Sequence, residues 1–140
     1  MVTNENYKSF NKNKDIEELQ SNLKQYKLKL EDLIIDFQFF ETILNAPIYK
    51  TKVLNLFENL QRFKEDINGY KNEVSKLLED ISRQVKIITK KIECGDLICD
   101  NFFVQNHDSL DRSILNLLKN SHQFKAEMFQ YLASVIKDLE

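Results

Sequence analysis

The chain has very little to turn with: two glycines, Gly69 and Gly95, and one proline, Pro47, in 140 residues. Sheet proteins need turn residues at short intervals. The shortage therefore argues for a few long helices and few turns. The two cysteines, Cys94 and Cys99, are too few for a disulfide framework, and in a cytosolic setting they are expected as thiols. Long uncharged runs are lacking too. The most apolar stretch, Leu33 to Leu44, holds Asp36 and Glu41, so no segment is fit to span a bilayer. The opening residues Met1 to Asn6 have no signal-peptide core behind them. A net charge of −2 gives no overall push toward nucleic acid or anionic lipid. These absences together predict a cytoplasmic protein with neither nucleic acid nor membrane among its partners.

What the chain does have is apolar periodicity. At 42% hydrophobic and 30% charged it can build one core and stay soluble. Ile16, Leu19, Leu23, Tyr26, Leu30, Leu33, Phe37, Phe40 and Leu44 follow one another at spacings of three and four. That pattern draws an apolar seam down one side of a helix predicted from Asp15 to Asn45. Val53, Leu56, Leu60, Phe63, Ile67, Tyr70, Val74, Leu77 and Ile81 repeat the pattern in a helix predicted from Ile48 to Ile92. Asn68-Gly69 is a turn signal in isolation, but Ile67, Tyr70 and Val74 keep their phase across it, which favours an unbroken helix. Beyond Ile81 the apolar positions move to Val85, Ile88 and Ile92, a stutter in the repeat. A third seam runs through Leu110, Ile114, Leu117, Ser121, Phe124, Met128, Tyr131 and Val135, in a helix expected to be capped by Asp108 or Ser109.

Asn45-Ala46-Pro47 reads as a short turn that makes the first two helices antiparallel neighbours. Charge supports the pairing. Residues 15–45 carry seven acids and three bases, and residues 48–93 carry ten bases and seven acids. Asp96 to His107 reads as one long connection, apolar enough to lie against the bundle. The expected architecture is all-α: an antiparallel, coiled-coil-like bundle of three long helices with the middle one longest. A break at Gly69 would give a four-helix bundle instead. Residues 1–14 read as a flexible tail and residues 15–140 as a single helical domain.

Catalytic machinery is not recognisable. No glycine-rich phosphate loop, Walker sequence or nucleophile elbow occurs. The Glu-x-x-His pair of di-iron bundles is missing: Val104 stands three before His107, and Lys119 three before His122. His107 reads as a residue of a helix-capping region and His122 as a half-buried or interface side chain. Cys94 and Cys99, with Asp96, Asp100 and His107 nearby, form the most site-like cluster for a metal. Their spacing is looser than a paired zinc knuckle, so no metal or other cofactor is assigned. Arg83, Lys86, Lys90 and Lys91 form a basic run, which the helix dipole alone explains at a helix end.

The apolar arcs of the first and third helices are wider than one neighbour can cover. The chain is therefore expected to be a non-enzymatic scaffold or adaptor that associates with itself, a dimer being favoured, or with a helical partner. Phe39, Ile43, Phe129, Leu132 and Ile136 are the candidate anchors. The alternatives are a small metal- or redox-responsive protein using the Cys94, Cys99 and His107 region, and a nucleic-acid accessory protein using the basic run.

Overall fold

A computed structural model describes residues 16–94 and 100–138, with the side chains of 17–90 and 106–138. It contains three helices: α1 over Ile16–Asn45, α2 over Leu56–Cys94 and α3 over Asp100–Val135. Among the described residues there is no strand, only an isolated antiparallel bridge between Tyr49 and Ile136. The architecture is the all-α three-helix bundle expected from the seams, and α2 is the longest helix. The predicted tail, residues 1–14, lies outside the described residues.

The seams are the core. Leu19, Leu23, Leu30, Phe37 and Leu44 of α1 are fully or almost fully buried, as are Ile67, Val74, Ile81 and Ile88 of α2 and Ile114, Leu117 and Met128 of α3. α2 is continuous through Gly69. At 1.5 Å per residue α1 is about 45 Å long, α2 about 58 Å and α3 about 54 Å. Because α3 returns along nearly the whole of α2, its last turn reaches the α1–α2 connection. All three helices run side by side over most of their length.

Two helix starts differ from the sequence reading. α2 begins at Leu56, not Ile48, and residues 46–55 form the connection. The reason is tertiary. Lys50 donates its backbone N–H to the Val135 carbonyl at 2.8 Å, and Lys137 donates to the Ile48 carbonyl at 2.8 Å. These bonds hold residues 48–50 extended against the end of α3. Asn55 then takes a left-handed φ of 58°, which asparagine tolerates better than most residues. Its carbonyl accepts the Asn59 N–H at 3.0 Å.

α3 begins at Asp100, so Asp108 and Ser109 lie inside the helix and not at its start. His107 is correspondingly not a capping residue. It sits three before Leu110, on the extension of the third seam, and is 2% exposed. Its ring lies 6.3 Å from that of Tyr26. A polar residue at a seam position is invisible to a search for apolar periodicity, and this one hid the first two turns of α3.

The connection is pinned a second time by Tyr49, whose hydroxyl donates to the Ile43 carbonyl at 2.6 Å. Burial raises the pKa of this phenol above its usual 10.0. The folded chain thus holds the proton more tightly than the unfolded chain does. The bond's contribution is complete below about pH 10 and is lost as pH rises through the raised value. Tyr49→Phe is expected to cost about 1 kcal/mol near neutrality and to lessen the alkaline loss of stability. Urea unfolding at about pH 8 and about pH 11 tests both statements. An alkaline loss identical in the two proteins would assign it elsewhere. Tyr70 is the second phenol to weigh, since burial first, and then Asp66, Glu73 and Glu127, raise its pKa as well.

Candidate functional site

The surface is uneven in a way the seams alone do not require. Among the described residues the exposed large hydrophobics are Leu28, Ile35 and Phe39 on α1, Leu115 and Phe129 on α3, Phe57 and Ile87 on α2, and Leu54 in the connection. The solvent side of α2 is otherwise polar. The solvent sides of α1 and α3 each carry an apolar stripe. Leu28 and Ile35 are seven residues apart, as are Leu115, His122 and Phe129, so each set lies along one line of its helix.

The five anchor candidates fall in one region, at the connection end of the α1–α3 side. Phe39 is 58% exposed, and its ring meets Phe40 edge-on at 6.3 Å. Phe40 in turn meets Phe129, 48% exposed, at 5.1 Å and 83°. Ile43 is half-buried and supplies the carbonyl that holds Tyr49. Ile136 is half-buried and forms the bridge to Tyr49. Leu132, at 5% exposed, belongs to the core and supports the region from beneath. Phe39 and Phe129 are therefore the two side chains of the set with large free surfaces. Leu28, Ile35 and Leu115 extend the face; Ile35 and Leu115 belong to the apolar rows beside the seams, and Leu28 alone stands outside them.

Two ion pairs fix how the helices are rotated. Lys71 of α2 reaches Glu41 of α1 at 2.7 Å, and Lys125 of α3 reaches Asp36 of α1 at 2.8 Å. The first realises the charge complementarity seen between the first two helices. Each is partly exposed and worth about 0.2–1 kcal/mol at most, so the pairs set register more than stability. Arg83 of the basic run pairs with Asp80 on its own helix.

Beside Gly69, between α2 and α3, lies an open cavity of about 530 Å³. Tyr70 and Phe124 line it, with carboxylates from Glu65, Asp66, Glu73 and Glu127. The Tyr70 hydroxyl donates to the Asn120 carbonyl at 3.4 Å. This notch has a negative potential but holds neither nucleophile nor histidine.

Among the described residues no group of three or more His, Cys, Asp or Glu side chains is placed to hold a metal ion. The Cys94 side chain and Cys99 lie outside the described residues. His107 is turned into the bundle against Tyr26, and His122 is exposed on the back of α3, not half-buried. No helix among the described residues is long and apolar enough to cross a membrane.

The fold is a three-helix bundle in which α1 and α3 carry five of the eight exposed large hydrophobics among the described residues. Comparison with protein-family models, with curated proteins and with solved structures gives no match to this chain.

Proposed function

We propose that the protein is a non-enzymatic helical scaffold or adaptor of the cytosol, acting by coiled-coil-like association with itself or with a helical partner. The observation that carries this reading is the segregation of exposed apolar side chains. Among the described residues, five of the eight large ones stand on α1 and α3. Scattered single apolar residues are ordinary on a protein surface, but stripes on adjacent helices mark a contact face. Half-exposed phenylalanines held by edge-on contacts are rigid, large and inexpensive to desolvate, which suits them as anchors.

Light scattering over a concentration range is expected to give a mass above the 16.6 kDa of one chain. The double variant Phe39→Asp, Phe129→Asp is expected to weaken association at least about tenfold while leaving helical circular dichroism unchanged. A wild-type particle of one-chain mass at every concentration would remove the self-association half of the proposal. Retention of a helical partner by the wild type and not by the variant would then carry the other half.

A further inference from the structure

We infer that a pocket between α1 and α2 binds a small aliphatic carboxylate, with Lys27 and Lys86 holding the head and an apolar floor taking the tail. The inference goes beyond the association reading and does not rest on it.

The pocket has a volume of about 360 Å³. It lies at the stutter in the α2 repeat. Leu77, Ile81 and Val85 follow one another there at two successive spacings of four, a pattern that locally unwinds packed helices. Leu78, Ile81 and Val85 form the floor. Ile81 is buried, and the other two are half-buried and packed on the core. Opposite them α1 presents no large apolar side chain, only Lys27 and Glu31. Their stems border the groove and leave it unfilled. Ser82 and Lys86 complete the rim from α2.

The polar groups are free to take a ligand. Among the described residues Lys27, Lys86 and Glu31 make no ion pair, and the Ser82 hydroxyl makes no hydrogen bond. Arg83, which belongs to the same basic run as Lys86, is already paired with Asp80 and adds nothing here. Two cations against one acid leave one positive charge, which a single carboxylate neutralises.

The charges are also ordered along the groove. Phe37 stacks on Tyr70, and Glu41 pairs with Lys71. α1 and α2 are antiparallel, so Lys27, ten residues before Phe37 and fourteen before Glu41, comes level with residues 80–85. Lys27 and Lys86 thus share one end, and Glu31 stands a turn away toward Leu78. One turn further out, Lys24 and Lys90 add to the lysine end, while Glu79 stands at the other. A carboxylate at the lysine end directs its chain along the floor. The stretch from Leu78 to Lys86 is about 12 Å long, room for one short chain and little more. A neutral alkyl ligand would leave both lysines unsatisfied, and a bare anion would leave the floor wet. Few convergent polar groups over an apolar floor are the usual make-up of a small-molecule site.

Octanoate tests this, titrated into the isotope-labelled full chain near neutral pH and followed by backbone amide NMR shifts. Parallel titrations use 1-octanol, acetate and octylammonium. Octanoate is expected to shift the amides of residues 78–86 saturably and to bind at least about tenfold tighter than each of the other three. Lys27→Glu with Lys86→Glu is expected to weaken octanoate at least about tenfold and to leave 1-octanol unchanged. Ser82→Phe, which fills the pocket, is expected to abolish both. All three positions are exposed, so the helical circular dichroism should not change. Equal affinity for octanoate and 1-octanol overturns the role of the lysines. Shifts centred elsewhere, or no binding, overturn the site. Binding to vesicles of anionic phospholipid without binding of octanoate overturns the ligand in favour of a membrane surface.

Discussion

Replacing Phe37 by alanine is expected to lower the unfolding free energy by about 3–5 kcal/mol, the cost of emptying a buried aromatic site. Phe37 is fully buried and, among the described residues, is the one ring that meets an aromatic partner on each helix. It stacks on Tyr70 of α2 at 5.6 Å and 14°. Its edge contacts reach Phe124 of α3 at 6.4 Å and Phe40 of α1 at 6.2 Å. Tyr70 and Phe124 also meet at 5.2 Å, so the three helices share one aromatic junction at this level. Alanine removes the burial energy and the ring–ring preference together, and the helices cannot collapse into the space without moving the Asp36–Lys125 pair next to it. A domain of this size is stable by about 5–15 kcal/mol in all, so the loss takes a large share of the total. Urea denaturation read by circular dichroism measures it. Phe37→Leu, which keeps most of the volume, is expected to cost much less. A loss below about 1 kcal/mol for Phe37→Ala would mean that the junction is not close-packed.

The junction also shows how much of the molecule was legible in its sequence. Phe37, Tyr70 and Phe124 each stand on a predicted seam, and a seam states which side of its helix is buried. Helix type, the order of the three helices and most core residues follow from that periodicity. What a seam does not state is where a helix yields to a tertiary contact. Val53 and Leu56 are in phase with Leu60, yet Ile48 to Lys50 are held out of helix by backbone bonds to residues 135–137, some 85 positions away in the chain. Local pattern carries no trace of that partner. His107 misled in the opposite way: a buried imidazole continues the third seam, but polarity made it read as a boundary. The candidate face was half legible. Phe39 and Phe129 were visible as apolar surplus beside the seams. How α1 and α3 are rotated against each other was not legible, since the Asp36–Lys125 pair that reports it lies 89 residues apart in sequence.

The continuity of α2 carries the second large effect, and Gly69 is the place to probe it. Asparagine followed by glycine is a dipeptide that marks turns, yet here both residues are helical. A β-carbon built on Gly69 meets nothing within 4 Å, because the residue faces the open notch between α2 and α3. Gly69→Ala is therefore expected to stabilise the protein by about 0.5–1 kcal/mol, since it restricts the unfolded chain and introduces no clash. In a domain of this size that raises the melting temperature by about 2–4 °C. Gly69→Pro is expected to do the reverse, at a cost of about 3 kcal/mol or more. The ring removes the N–H of residue 69 and collides with the carbonyl one turn earlier. That turn lies between Phe63, which packs on Phe124 and Tyr131, and Tyr70, which packs on Phe37. A kink there would pull α2 off both neighbours. The pair of variants separates two architectures. In a continuous helix alanine stabilises and proline is severe. In a four-helix bundle with a turn at Asn68-Gly69, glycine would hold a backbone conformation that alanine resists, so alanine would destabilise and proline would cost little. Thermal melts of the two proteins beside the wild type decide between them.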